Sequence, residues 1–203
     1  MNRTTLAATT AASLLAAASS ALAQGPTLDI IVDSGGSAIF PGSVVSITMT
    51  AGFDPADYAV AGVATDILAS APRDLSGAWS DPTLVAPMDG PGTFAGTPAG
   101  SGVGGILAGQ LNFPPAGIYA DDSNPIVFWE ATFTVPADQP GGYVVDLTTT
   151  TSRFDVYVAR DRATSESRLD DLTEGRGRFF VVPAPASAAV LGIGFVLTTR
   201  RRR

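Results

Sequence analysis

The chain has no cysteine, no histidine and no lysine among its 203 residues. Without cysteine there are no disulfides, thiolate metal sites or thiol redox chemistry, so the fold must be held by core packing without covalent cross-links. Without cysteine or histidine, the Ser-His-Asp and Cys-His nucleophile systems and the usual zinc ligand sets are excluded. Every cationic side chain is therefore an arginine, and four of the twelve stand at the last four positions. One more lies at position 3, which leaves seven arginines against nineteen acidic residues in between, a net charge of −12. Nucleic acids and anionic membrane surfaces are disfavoured as partners of that part, because phosphate binding needs cations to displace counterions.

What is present starts with a leader. Met1, Asn2 and Arg3 form a short positive start, Leu6 to Leu22 is rich in alanine and leucine, and Ala21-Leu22-Ala23 fits a small-x-small cleavage site. This reads as a secretory signal peptide over residues 1–23, with Ala21 and Ala23 as the cleavage determinants. The organisation expected is thus a leader at 1–23, one domain at 24–181 and a closing segment at 182–203. About 160 residues is the size of one domain able to bury a core.

Within that domain the pattern is that of strands. Leu28, Ile30 and Val32 alternate with Asp29 and Asp33, and Val45, Ile47 and Met49 alternate with Ser46, Thr48 and Thr50. In "PIVFWEATFTVP" the alternation puts Val127, Trp129, Ala131, Phe133 and Val135 on one face and Phe128, Glu130, Thr132 and Thr134 on the other. Tyr143, Val145 and Leu147 form a further buried row, as do Phe154, Val156 and Val158, with Tyr157 facing outward. Gly177 to Pro183 is expected to be a last strand that ends at Pro183. Tyr58 to Ser70 fits both a strand and a short helix, and the β-rich context favours the strand. Ala71 to Ala116 is expected to be mostly loop, with one strand within "ILAGQLNF". About seven antiparallel strands in one domain point to an all-β sandwich.

The tail "VVPAPASAAVLGIGFVLTTRRRR" carries about twelve mostly apolar residues from Ala186 to Leu197, a marginal length for crossing a ~30 Å hydrocarbon core. Arg200, Arg201, Arg202 and Arg203 would stay on the cytoplasmic side as a stop. This order of Pro-bounded motif, apolar helix and arginine cluster resembles the PEP-CTERM sorting signal of bacteria that make extracellular polysaccharide. Val182, Pro183 and Pro185 match its Val-Pro-Glu-Pro motif, and Ala184 stands where that family has glutamate. The resemblance implies export past signal peptidase, transient anchoring in the inner membrane, cutting by an exosortase-type membrane enzyme, and release to the cell surface or the extracellular polysaccharide. A permanent C-terminal anchor or a glycolipid-anchor signal is the alternative for such a tail.

The body is similar to cohesin-type modules in "FPGSVVSITMTAGF" and "NPIVFWEATFTVPADQPGGYVVDL". That resemblance implies a cohesin-like or jelly-roll-like sandwich that binds a dockerin partner or acts as a surface module; the ends of the chain are expected to flank it with a cleaved leader and a C-terminal hydrophobic helix.

Catalysis without histidine or cysteine leaves a carboxylate pair as the simplest design, as in glycoside hydrolysis. Glu130 beside Trp129, with Asp146 as second carboxylate, is the candidate; the strand pattern favours Glu130 as a solvated residue. Asp121, Asp122 and Asn124 are oxygen donors in one loop, as calcium requires, but lack the spacing of a calcium-binding repeat and read as turn residues. Asp170, Asp171 and Glu174 mix with arginines as an exposed turn or short helix, Thr148 to Thr151 fit strand propensity or O-linked sugar, and the glycines at 90–105 lack the lysine and helix of a phosphate cradle. The function expected is a non-enzymatic surface or matrix protein with no cofactor and no metal. A carbohydrate-binding or adhesion module is the alternative, and a carboxylate glycosidase a more distant one.

Overall fold

Eleven strands pair into two sheets in the computed structural model, which describes residues 25–183. In chain order they are β1 (Thr27–Asp33), β2 (Val44–Gly52), β3 (Ala59–Ser70), β4 (Trp79–Leu84), β5 (Thr97–Ala99), β6 (Gly102–Gly109), β7 (Ile126–Thr134), β8 (Tyr143–Tyr157), β9 (Ser165–Ser167), β10 (Thr173–Glu174) and β11 (Gly177–Val181). The five-stranded sheet runs β10-β1-β2-β7-β4, and the six-stranded sheet runs β11-β8-β3-β6-β5 with β9 also on β8. All neighbours are antiparallel except β1 and β10.

The expected all-β sandwich is present, and most of the alternation holds. Leu28, Ile30, Val45, Ile47, Met49, Trp129, Ala131, Phe133, Val145 and Leu147 are buried in one core that both sheets share. Tyr58 to Ser70 resolves in favour of the strand, with Gly62 inside β3 rather than breaking it. Of the expected loop at 71–116, however, three segments are strands. β4 escapes the alternation test because Pro82 interrupts it and Asp81 takes a left-handed φ of 52° where the pairing with β7 shifts register. The strand expected within "ILAGQLNF" begins earlier, at Gly102, and stops at Gly109. The rows of Tyr143 and of Phe154 belong to a single fifteen-residue strand, β8.

Two aromatic side chains expected to face outward are buried. Phe128 is fully buried because the β2–β7 register pairs Met49 with Trp129 and Thr50 with Val127. Phe128 is the extra residue of that bulge, so two successive side chains reach the core. Tyr157 packs with Ala59, Ala61 and Ala120 in a small second cluster beneath the loop that follows β6.

Both tryptophans stand in the five-stranded sheet and reach across to the other. The Trp79 indole donates to the Ser101 carbonyl and the Trp129 indole to the Ala95 carbonyl, at 2.8 Å each, on the two sides of β5. With Phe133 and Phe179 they form a run of edge-on and tilted contacts through the middle of the core. Among the described residues no helix is long and apolar enough to cross a membrane. The leader with Ala21 and Ala23, and the tail from Ala184 through Pro185 and the expected helix to Arg200, Arg201, Arg202 and Arg203, lie outside the described residues. Val182 and Pro183 lie just past β11.

Candidate functional site

The carboxylate pair is not assembled. Glu130 is exposed on β7 in the five-stranded sheet, whereas Asp146 is on β8 in the six-stranded sheet, where it pairs with Arg178. The core of the sandwich separates them, so they cannot flank one glycosidic bond. The loop acids are turn-formers. Asp121 accepts the Ser123 amide at 2.8 Å, and the Ser123 side chain first, with this amide after it, holds its carboxyl below the ordinary value. Asn124 bonds both the amide and the carbonyl of Phe53, which locks the loop to the end of β2. Among the described residues no group of three or more acidic side chains is placed to hold a metal ion. Of the expected exposed turn or short helix, Asp170 and Asp171 form a 3-10 turn at Leu169–Asp171, while Glu174 on β10 accepts the Thr151 amide. Thr148 to Thr151 are part of β8, and Thr149 is buried.

Two surfaces expose large apolar side chains. The first is the outer face of the six-stranded sheet. Register places Phe180 beside Val144, then Arg178 beside Asp146 beside Ser70, then Thr148 beside Leu68, then Thr150 beside Asp66. Phe180 and Leu68 are each 51% exposed, large values for apolar side chains on a flat sheet. The rows are therefore apolar, charged and mixed in turn across β11, β8 and β3.

The second surface is the loop after β6. Gln110 and Asn112 are buried amides that bind backbone at every polar atom. The Gln110 amide donates to the Val60 and Asp121 carbonyls and its oxygen accepts the Asp121 amide. The Asn112 amide donates to the Arg160 and Arg162 carbonyls at 3.1 and 2.7 Å, and its oxygen accepts the Ala120 amide. The Tyr157 hydroxyl donates to the Gln110 carbonyl and accepts the Asn112 amide, and the Tyr58 hydroxyl donates to the Ala120 carbonyl. A network satisfied this completely fixes its loop. What the loop presents is apolar: Leu111, Phe113, Ile118 and Tyr119 are each about half exposed. The one sign of this network in the sequence is the pair of amides set two residues apart in an otherwise apolar "AGQLNF", the mark of buried polar anchors.

Solved structures similar in fold include cohesin modules. One, from a type I cohesin–dockerin complex of Clostridium thermocellum, has TM-score 0.50 and 14% identity over 77% of this chain and 99% of that chain. The third cohesin of an Acetivibrio cellulolyticus protein in complex with a dockerin has TM-score 0.46 and 15% identity over 77% and 99%. The cohesin module of a Clostridium perfringens family 33 glycoside hydrolase has TM-score 0.44 and 10% identity over 78% and 96%. No family model and no curated protein sequence matches the chain. The body is thus a cohesin-like β-sandwich, a likeness of fold.

Proposed function

We propose that the chain is an exported, non-catalytic surface or matrix module that docks a protein partner. The observation that carries this is the open outer face of the six-stranded sheet, where Phe180, Val144 and Leu68 stand in solvent between charged and hydroxyl rows. Exposed apolar side chains on a rigid sheet mark a contact surface. The neighbours of the same fold include cohesins solved with dockerins, which supports protein docking over carbohydrate binding. A glycan module would use outward aromatic rings in a row, whereas the sheet-face rows carry a single ring, Phe180, and Phe128, Trp129 and Tyr157 are buried.

Delivery to the surface rests on the ends of the chain. In this proposal residues 1–23 are removed by signal peptidase after Ala23. Residues 182–203 act as a PEP-CTERM-like signal, with Val182, Pro183, Ala184 and Pro185 as the motif and Arg200, Arg201, Arg202 and Arg203 as the membrane stop. An exosortase-type enzyme then cuts near the motif, and the released module associates with extracellular polysaccharide.

Two measurements test this. Intact mass of the extracellular protein is expected to give a C-terminus near Pro183 to Pro185, and Arg203 retained in released material would sink the sorting proposal. A photo-crosslinking residue at position 180 in the exporting cells is expected to give a discrete protein adduct; adducts to glycan alone would replace protein docking by carbohydrate binding.

A further inference from the structure

The second surface goes beyond the sheet face and does not depend on it. We propose that the loop Gln110–Ala120, with Arg160 and Arg162, is a separate docking site for a protein segment that presents apolar side chains flanked by carboxylates.

Three observations converge. The apolar residues are held in place before any partner arrives, since the buried Gln110, Asn112 and Tyr157 network fixes both ends of the loop. Little ordering entropy is then lost on binding, which is the condition under which four half-exposed side chains contribute usefully to affinity. The same Asn112 side chain that holds Ala120 also holds the carbonyls of Arg160 and Arg162, so the apolar loop and the two arginines are one rigid unit.

Charge selects the partner. The described body carries nineteen acidic residues and seven arginines, and Arg160 and Arg162, on either side of Asp161, are two of the four arginines that make no ion pair among the described residues. Arg160 instead lies over the Tyr119 ring, 4.3 Å from its centroid. A guanidinium stacked on an aromatic face keeps its edge donors free for a carboxylate. Aromatic and arginine side chains together are what anchors protein interfaces. A purely glycan partner fits less well, because Leu111 and Ile118 would face hydroxyls.

Position agrees with access. Val181 pairs with Tyr143 at one end of β8, beside the point where the chain leaves the fold at Pro183, while Tyr157 at the other end holds the loop. Fourteen strand steps separate those ends by about 45 Å. The loop therefore stands at the pole opposite the C-terminal exit.

The test is selection of a random dodecapeptide display library on the intact exported protein. Enriched peptides are expected to combine bulky apolar residues with Asp or Glu and to weaken with added salt. Their affinity is expected to fall at least tenfold in Phe113→Ser/Ile118→Ser and in Arg160→Gln/Arg162→Gln, with the thermal midpoint unchanged. Phe180→Asp is expected to leave it intact. No enrichment, a non-acidic consensus, or binding indifferent to both double variants overturns the proposal. Loss with Phe180→Asp alone would assign the peptides to the sheet face, overturning this site while leaving the proposed module function standing. Binding of alginate that needs the arginines but not Phe113, with no peptide enriched, would overturn it in favour of an acidic glycan. Self-association abolished by the loop variants would overturn it in favour of a second copy of the chain.

Discussion

Arg168 and Asp57 stand 111 residues apart, and the guanidinium grips the carboxylate through two bonds, Nη2 to Oδ1 at 2.9 Å and Nε to Oδ2 at 3.1 Å. The Asp57 side chain is only 6% exposed, so this pair clips the turn before β3 to the segment after β9. Asp57 first, and Glu166 after it, push the Arg168 guanidinium further above its already high ordinary value. Arg168→Ala leaves a nearly buried carboxylate without its partner and is expected to cost about 2 kcal/mol in urea denaturation. Arg168→Lys is expected to recover less than half of that, because an ammonium cannot make the paired contact. A loss under about 0.5 kcal/mol, the range of an exposed pair, would refute the clip.

Asn112→Ala removes one side chain and leaves the Ala120 amide and the Arg160 and Arg162 carbonyls without partners. The expected cost is about 2 to 3 kcal/mol of global stability, with faster hydrogen exchange at Ala120. Unchanged exchange at Ala120 would show that the loop is held by other means.

Tyr143 has a buried hydroxyl with no hydrogen-bond partner, and burial raises its ionisation above the ordinary value of 10.0, an effect that Arg73 opposes and Asp138 reinforces. The folded chain therefore keeps this proton at a pH where the unfolded chain has lost it. Stability from this source is intact below pH 10 and falls as pH rises beyond it. Tyr143→Phe is expected to change stability at pH 8 by less than about 1 kcal/mol and to flatten the decline between pH 9.5 and 11. Thermal midpoints across that range check both statements.

Gly102 pairs with Leu68, and a Cβ added there would meet the Ile67 carbonyl oxygen at 2.5 Å. The neighbour is backbone, which cannot swing aside. Gly102→Ala is expected to cost about 1 to 3 kcal/mol, while Gly100→Ser, at a turn with open space around it but φ of 56°, should lose about 1 kcal/mol through strain alone. Guanidinium titration of both variants separates steric contact from backbone strain.

Much of the sandwich was legible because period-two alternation survives wherever a strand pairs without interruption, as in β1, β2 up to Met49 and most of β7. It failed where the backbone departs from that period. The bulge at Phe128 turns an outward ring inward, and the combination of Asp81 and Pro82 hides β4 within what reads as a loop. The carboxylate candidate failed for a topological reason: Glu130 and Asp146 are sixteen residues apart on consecutive strands, but β7 and β8 belong to different sheets. Tyr157 shows a third limit. Alternation predicted its exposure from β8 alone, whereas its burial is supplied by a loop more than forty residues earlier, anchored through Gln110 and Asn112. The contact surfaces were the least legible part, since they depend on which strands become neighbours and on what covers them.

The pairing of the two indoles gives the protein an internal optical gauge. The ring centroids of Trp79 and Trp129 lie 6.1 Å apart, both rings nearly excluded from solvent and both bonded to backbone carbonyls that flank β5. Their emission should be blue-shifted in the native state and move to longer wavelength when the sheets part. Neither ring reaches the outer surfaces, so a ligand that merely sits on the exterior leaves the signal unchanged. A spectral shift on ligand addition would instead report that the interior has been rearranged.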